Sequence, residues 1–296
     1  MISTTSGLSR QFAKLCDLPD FEDAELATTM AEITPDRLPA EPHRKAWEFA
    51  MGALFLRDVG HLDGSAHVLD VGAGHEEIIY WLANRAERVV AVDIYGRGAF
   101  GRREAVASML EDPTVHAPYP YREDHLEVLD MDARRLDFPD ESFDAVVSFS
   151  SIEHFGTPED IKRSAREIAR VLKPGGHAFL VTEVFHSQHP IDHAPVLFAV
   201  RLVTLGRRCR RATPRRRSIG DVFTNRELRR VIVEPSGLHL MQPLDFSMSR
   251  EALANIQHPQ PDGSVISSTG GPYPHIVLAA HRSTFTSVCL PLVKTA

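Results

Sequence analysis

Residues 68–93 read VLDVGAGHEEIIYWLANRAERVVAVD, and this stretch decides the fold. An apolar run over 68–71 breaks at Gly72 and Gly74, apolar residues at helical spacing follow, and a second apolar run ends at Asp93. This order predicts a strand, a glycine turn, a helix and a second strand within one βαβ unit. Glycines let the backbone approach a ligand closely, and a carboxylate 19 residues beyond Gly74 is suited to bind two ribose hydroxyls. The stretch therefore predicts a nucleotide site.

Two ligand classes compete for this turn. A dinucleotide motif needs a third glycine at position 77, where the chain has Glu77, and that carboxylate would repel a pyrophosphate. S-adenosylmethionine has a ribose and an amino-acid end but no phosphate, so the acidic side chains of Asp70, Glu76 and Glu77 suit its ammonium and sulfonium charges. The turn alone leaves both ligands open.

Composition narrows the class of protein. The chain has 296 residues, of which 43% are hydrophobic and 25% charged, and this is typical of a globular protein. A net charge of −7 argues against a nucleic-acid binder. The three cysteines form neither a disulfide framework nor a zinc signature. Neither a signal-peptide core nor an apolar run of about 18 residues is present, so we expect a cytoplasmic protein without a transmembrane segment.

The regions flanking the central unit also carry patterns. Residues 1–60 are predicted to be a helical layer on the sheet, part of which covers the site; Phe12, Leu15 and Cys16 lie at helical spacing. Further helices are predicted near 102–110, at 158–172 and, with Thr224 as N-cap, at 225–232. Further strands are predicted at 125–129, 145–149, 178–182, 239–244 and 275–280.

Five motifs in this order resemble the class I S-adenosylmethionine-dependent methyltransferases, in the group with small-molecule acceptors. They are VLDVGAG (68–74), VVAVD (89–93), MDARRLDFPDESFDAVVS (131–148), SSIEHF (150–155) and RVLKPGG (170–176). The resemblance covers about residues 64–184. It implies a doubly wound, Rossmann-like α/β fold with a seven-stranded sheet, in which the last strand lies antiparallel beside the fifth. The methyltransferase domain would span 61–296, with a substrate-side insertion at 184–222 after the fifth strand.

The resemblance also implies which residues contact S-adenosylmethionine. Asp70, Gly72 and Gly74 would line its methionine end, and Asp93, with Ile94 beside it, would hold the ribose. The remaining contacts would be Asp132 with the adenine amino group, Met131 and Ala133 against the ring, and Ser150 beside the cofactor. The chain departs from the family pattern at His75-Glu76-Glu77, where a glycine is common at 76.

His154 is the candidate catalytic base. Methyl transfer to a hydroxyl requires removal of a proton, and an imidazole with an ordinary pKa near ~6.5 is largely neutral at pH 7. Glu153 could orient His154 or contact the substrate. The alternative is that both residues merely hold the loop after the fourth strand.

A second polar cluster follows the fifth strand. Glu183, His186, His189 and His193 are candidate ligands for a divalent metal, but their spacing matches no tight metal signature, so a metal is not favoured over substrate contacts or solvated histidines. Residues 201–217 contain eight arginines and no acid. They predict an exposed insertion, a site for an anionic acceptor, or a contact with an acidic membrane surface or carrier protein.

The function expected from these patterns is methyl transfer from S-adenosylmethionine to oxygen of a small hydroxylated acceptor such as a sugar or glycoside. Methylation of nitrogen, of a lipid or polyketide, or of RNA is the alternative. NAD-dependent oxidoreductases and non-catalytic binding proteins are remoter alternatives, since the former would not require Asp132 or the SSIEHF segment. We expect a small-molecule or glycan partner and no nucleic acid, and the pattern is compatible with a homodimer.

Overall fold

The computed structural model describes residues 7–36, 42–98, 101–188, 221–259, 265–267, 275–280 and 282–295. Its strands are β1 (His67–Val71), β2 (Arg88–Asp93), β3 (Leu126–Asp130), β4 (Phe143–Phe149), β5 (Leu172–Ser187), β6 (His239–Leu240), β7 (Ile256–Pro259), β8 (Val265–Ser267), β9 (Val277–Ala280) and β10 (Ser283–Val293). Its α-helices of four or more residues are α1 (Ala24–Ile33), α2 (Arg44–Asp58), α3 (Glu77–Ala83), α4 (Pro158–Val171), α5 (Asn225–Leu228) and α6 (Arg250–Ala254). Among the described residues, no helix is both long and apolar enough to cross a membrane.

All ten strands belong to one sheet, in the order β3-β2-β1-β4-β5-β10-β9-β7-β8, with β6 paired to β10. Strands β1 to β5 run parallel to one another, whereas β10 is antiparallel to both β5 and β9. The seven predicted strands correspond to β1 to β6 and β9, whereas β10 was not predicted as a strand. The last strand of the chain, β10, does lie antiparallel beside the fifth, as the family resemblance implies, but the segment predicted to be that strand, residues 275–280, contains β9, which pairs with β10 instead. Strands β7 and β8 extend the sheet beyond β9.

Apolar layers cover both faces of the sheet. Strands β1, β2 and β4 are nearly continuous apolar runs because both of their faces are buried. Helices α1, α2 and α3 pack on one face, around Trp47, Tyr80 and Phe149. Helix α4 and the helical segment after Thr224 pack on the other face, around Ile168 and Ile232.

Local sequence fixes the boundaries of two predicted helices. Thr157 caps α4 in a capping box with Asp160, and Pro158 occupies the first helical position, where its missing N–H is not needed. Thr224 caps α5 in the same way, as predicted. A π-helical stretch (Arg229–Val233) and a short helical turn (Glu234–Ser236) follow α5 directly. This helical segment ends at Gly237, which has a left-handed conformation.

Several predicted elements were wrong in extent or type. Residues 101–105 form turns and a bend, and a 3₁₀ turn follows at Ala107–Leu110. The Glu104 carbonyl is bonded to the His75 ring at 2.6 Å and the Ala105 carbonyl accepts the Gly96 N–H at 2.7 Å, so neither carbonyl is available to a helix. Leu15 is not helical but bridges to β10 at Val288. The fifth strand is longer than expected, since it begins at Leu172 and includes the Lys173–Gly176 turn residues.

The predicted insertion falls largely outside the described residues. Residues 184–187 continue β5, and description resumes at residue 221. His189, His193 and the arginine-rich stretch 201–217 lie outside the described residues.

Candidate active site

The carboxyl ends of the parallel strands β1, β2, β3 and β4 meet at one edge of the sheet, and the predicted cofactor residues lie there. In open α/β sheets ligands bind outside this edge. The glycine turn follows β1, Asp93 ends β2, Asp132 follows β3 and Ser150 follows β4. The fold therefore brings these four regions, separate in sequence, to one edge.

The glycine turn is held by its own packing. Gly72 and Gly74 have φ angles of +78° and +50°, which favour glycine. A Cβ on Gly72 would lie 2.5 Å from the Ser151 Cβ, and one on Gly74 would lie 2.7 Å from the Glu104 carbonyl oxygen. The backbone thus passes too close to its neighbours for any side chain at either position.

Asp70 is buried beneath the turn without a partner. Its side chain is 0% exposed, and neither carboxylate oxygen accepts a hydrogen bond. Burial raises its pKa to about 8; Lys45 acts against this rise and Asp93 adds to it. A buried carboxylate without a donor is unfavourable in a folded protein unless a ligand supplies the missing partner.

Asp93 ends β2 in a fixed orientation. Its two carboxylate oxygens accept the backbone N–H groups of Gly74 at 3.0 Å and Ile94 at 2.7 Å. Burial raises the pKa of Asp93, and these two hydrogen bonds oppose the rise. The glycine turn and the end of β2 are therefore tied together by one carboxylate.

Asp132 lies nearer the surface and is engaged by Arg134, a residue that the motif comparison did not single out. The Arg134 Nε lies 2.9 Å from Asp132 Oδ1, and a terminal nitrogen lies 2.5 Å from Oδ2. This guanidinium lowers the pKa of Asp132. Ala133 is buried, and the Met131 sulfur accepts the Asp137 N–H at 3.2 Å.

Ser150 links the end of β4 to α2. Its φ is +49°, a strained value for a residue with a side chain, and its hydroxyl donates to Glu48 Oε1 at 2.9 Å. The hydroxyl of Ser287 on β10 donates to the same oxygen. Glu48 is fully buried and was not predicted as a site residue.

The first turn of α2 supplies two cations to the same region. Lys45 donates to the Phe149 carbonyl at 2.6 Å and forms an ion pair with Glu76 at 2.5 Å. Arg44 forms an ion pair with Glu183 and donates to the Ser287 hydroxyl at 3.0 Å. Neither cation was predicted, because the spacing of apolar residues along a helix does not indicate which polar residues face a strand that is distant in sequence.

Glu153 and His154 follow Ser150 on a 3₁₀ turn (Ile152–His154). Glu153 is 1% exposed and its Oε2 accepts the Thr182 hydroxyl at 2.8 Å. Burial, together with a smaller effect of the nearby Glu183 carboxylate, raises its pKa to about 8. The His154 side chain is 28% exposed, and its Nδ1 lies 3.9 Å from Asp221 Oδ2. Asp221 was also missed, because it follows the predicted insertion in sequence.

Of the four candidate metal ligands, Glu183 and His186 lie within the described residues. Glu183 is paired with Arg44, a cation that competes with a metal ion for the carboxylate. The His186 Nδ1 is buried without a hydrogen-bond partner. Within the described ranges, no three His, Cys, Asp or Glu side chains converge in a manner suited to a metal ion.

The residues present fit S-adenosylmethionine by the chemistry of their donors and acceptors. The unpartnered Asp70 carboxylate lacks a cation or donor, the glycine turn keeps side chains away from the backbone, and Asp93 presents a second carboxylate at the next strand end. A sulfonium nucleoside with an ammonium group meets these requirements, whereas the acidic set would repel a pyrophosphate.

Comparison with known proteins agrees with this chemistry. Residues 69–180 match a family model described as a methyltransferase domain. A phosphatidylethanolamine N-methyltransferase of Cereibacter sphaeroides is 30% identical over 136 residues, which cover 46% of this chain and 60% of that protein. The uncharacterized methyltransferase YcgJ of Bacillus subtilis is 27% identical over 168 residues, which cover 55% and 58%.

The chain thus spans less than two thirds of the length of either relative. The crystal structure of YcgJ covers 82% of this chain and 97% of its own, at 18% identity and a TM-score of 0.47. The matched family model, the five ordered motifs and the strand order agree. The protein therefore contains a methyltransferase domain of the class I S-adenosylmethionine-dependent type.

Proposed function

We propose that the protein methylates a hydroxyl oxygen of a small polar acceptor, such as a sugar or glycoside, with His154 as the general base. The observation that carries this proposal is the pairing of His154 with Asp221 at the carboxyl edge of the sheet. Their closest atoms are 3.9 Å apart, and the His154 ring remains partly exposed. It follows Ser150 by four residues and is therefore close to the end of β4.

A carboxylate beside Nδ1 gives the imidazole a defined role. At 3.9 Å the two groups are not hydrogen-bonded, but the charge of the carboxylate favours the tautomer with the proton on Nδ1, and this leaves Nε2 to accept a proton from the acceptor hydroxyl. The carboxylate also stabilises the imidazolium that forms. A positioned base of this kind contributes about 10²–10⁴ in rate.

S-adenosylmethionine, when bound, supplies a methyl group already activated by the sulfonium. We propose that Asp70, Gly72 and Gly74 face its methionine end, and that Asp93 and Ile94 hold its ribose. Met131, Asp132 and Ala133 would take the adenine, with Ser150 close by. The work left to the protein is alignment of the acceptor and removal of its proton.

The test is incubation with methyl-labelled S-adenosylmethionine and a panel of glycosides, sugar acids, phenols, amines and tRNA. Labelled hydroxyl product is expected, with kcat reduced about 10²-fold or more in His154→Ala and less in Asp221→Asn. His239→Ala is the matched control, since His239 is exposed on the short strand β6. Undiminished turnover by His154→Ala would contradict the assignment of the base.

Methylation of an amine is the second candidate, and the buried carboxylates favour it. Glu153 lies close to Glu183, and because Glu183 is already paired with Arg44, the unpartnered Oε1 of Glu153 is the group that would attract an ammonium. The similarity to a phosphatidylethanolamine N-methyltransferase supports the same class of acceptor. Label entering the amines alone, with His154→Ala near wild-type activity and Glu153→Gln impaired, would establish this candidate instead.

A further inference from the structure

Ser150 has an unfavourable backbone conformation at the end of β4. Among the described residues, Ser150 and Glu141 are the residues other than glycine with a positive φ, at +49° and +59°. For a residue with a Cβ this conformation is unfavourable by an amount equivalent to about 5- to 150-fold in population. It persists only where the surroundings hold it. The contacts of Ser150 should therefore include a group that fixes the turn.

The neighbouring bonds place this turn beside β5 and the glycine turn. The Ser150 N–H donates to the Val181 carbonyl at 2.9 Å, one residue beyond β4, and the Ser151 hydroxyl donates to the Gly72 carbonyl at 2.8 Å. The Ser150 hydroxyl is directed elsewhere, towards α2, where it donates to Glu48 Oε1 at 2.9 Å. This side-chain bond is the link between the strained residue and the helical layer.

Glu48 is a fixed acceptor for that hydroxyl. It is 0% exposed, and its Oε1 also accepts the Ser287 hydroxyl of β10. The Ser287 hydroxyl in turn accepts a hydrogen bond from Arg44 at 3.0 Å, and the Lys45 ammonium lies 3.5 Å from Glu48 Oε2. The carboxylate is thus held by β10 and by the first turn of its own helix, so it cannot follow Ser150 if that residue relaxes.

The turn at Ser150 sets the direction of the loop that carries the candidate base. Glu153 and His154 follow it on one 3₁₀ turn, and the His154 N–H donates to the Ser151 carbonyl at 2.9 Å. These residues form a compact unit that begins at Ser150. A change of φ at Ser150 would therefore rotate the unit and move His154 relative to Asp221, which lies 3.9 Å from its ring.

We propose that Glu48 is a positioning residue. By accepting the Ser150 hydroxyl it holds the left-handed turn at the end of β4, and it thereby fixes the orientation of Glu153 and His154. The consequence for catalysis rests on the proposed function, in which His154 is the base. The consequence for the position of His154 does not depend on that function.

The test compares two replacements of Ser150 by NMR of protein with isotope-labelled histidine. Ser150→Ala keeps the Cβ that makes the turn unfavourable and removes the hydroxyl that Glu48 accepts, whereas Ser150→Gly removes both. The His154 ring signals, assigned with His154→Ala, are expected to move in Ser150→Ala and to stay closer to their wild-type positions in Ser150→Gly. The ring of His239, exposed on β6, is the internal reference.

Glu48→Leu removes the acceptor itself. It should move the His154 signals as Ser150→Ala does, and Ser150→Gly added to Glu48→Leu should bring them back towards the wild-type positions, which a general structural role of Glu48 would not predict. Glu141→Gly is the matched control, since it removes a similar positive φ at the opposite end of β4 and should leave the His154 signals in place. The comparison of the two Ser150 variants decides the matter if Glu48→Leu does not fold.

Turnover is the second measurement. In Ser150→Ala and in Glu48→Leu, kcat is expected to fall about 10-fold or more, as for loss of a hydrogen bond to a charged group. Ser150→Gly should lose less than Ser150→Ala, and it should recover part of the loss when added to Glu48→Leu.

Two results would overturn the proposal. One is that the His154 signals stay in place in both Ser150→Ala and Glu48→Leu. The other is an equal displacement in Ser150→Ala and Ser150→Gly, which would assign the effect to the hydroxyl and not to the turn that it holds. Undiminished turnover by His154→Ala, with the His154 signals moving as expected in the Ser150 variants, would instead overturn the assignment of the base and leave the positioning role of Glu48 intact.

Discussion

Replacement of Asp70 by asparagine is expected to stabilise the ligand-free protein while impairing cofactor binding. In the folded state burial raises the pKa of Asp70 to about 8, whereas in the unfolded chain it is about 3.9. A carboxyl group with a raised folded-state pKa costs stability as the pH rises from the unfolded value towards the folded one. The cost grows by about 1.4 kcal/mol per pH unit and reaches about 4 kcal/mol at pH 7.

The asparagine variant avoids this pH-dependent cost but buries an amide without partners. Such a group costs about 1–3 kcal/mol at any pH. The free energy of unfolding of Asp70→Asn at pH 7 should therefore exceed that of the wild type by about 1–3 kcal/mol. Between pH 5 and pH 7 the difference between the two proteins should grow by about 3 kcal/mol.

Urea denaturation followed by tryptophan fluorescence measures this difference, since Trp47 and Trp81 are both buried. Titrations at pH 5, 6 and 7 give the slope, and Asp137→Asn, at an exposed position, is the control. A difference between Asp70→Asn and wild type that does not change with pH would refute the reasoning. So would a variant less stable than the wild type at pH 7.

Two further variants test other parts of the fold. Burial, with a smaller contribution from His61, lowers the pKa of His177 to about 4, so the wild type should lose stability as the pH falls from about 6.5 to 4. In urea titrations, the free energy of unfolding of His177→Gln should fall by about 1–2 kcal/mol less than that of the wild type when the pH is lowered to 5. This range is reduced because the ring is partly exposed. Parallel pH profiles of the two proteins would contradict the prediction. In thermal melts, Gly72→Ala should lower stability by about 1–3 kcal/mol because the added Cβ meets Ser151. Gly60→Ala should lower stability less, since Gly60 has a similar φ but open space around it. Equal losses would show that backbone strain alone is responsible.

The parallel half of the sheet was predictable because its physics is local. Strands β1, β2 and β4 are short apolar runs between turn residues, and burial on both faces requires that composition. Their predicted boundaries fall within about two residues of the observed ones, as expected for strongly patterned segments. Helix α4 was predictable for the same reason, since Thr157 and Pro158 mark its start.

The errors occurred where tertiary contacts replace local hydrogen bonds. The stretch 101–106 has helix-forming residues, but the Glu104 and Ala105 carbonyls bond to His75 and Gly96. Residues 14 and 15 bridge to distant chain segments although Leu15 lies at helical spacing from Phe12. Periodicity cannot detect such pairings, because the partner is more than 200 residues away in sequence.

The candidate site was predictable to a similar extent. Asp70, Gly72, Gly74, Asp93 and Asp132 lie in contiguous motifs, so the sequence could indicate them together, and their roles remain predictions. Their partners could not be predicted from those motifs: Lys45 and Glu48 come from α2, and Asp221 comes from beyond the fifth strand. A helix pattern predicts which residues are apolar and buried, but not that a buried polar residue on the same face meets a strand end.

The carboxyl edge of the sheet carries more buried carboxylates than the cations around it can pair. Asp70 and Glu153 have pKa values raised chiefly by burial, and the only cations that α2 directs there among the described residues are Arg44 and Lys45. Burial of unpaired carboxylates lowers stability, so a fold selected for stability alone would replace them. A cationic ligand favours their ionised forms and recovers part of that cost on binding. Stability and ligand affinity are thus linked through the same carboxylates, and a variant that gains one is expected to lose the other.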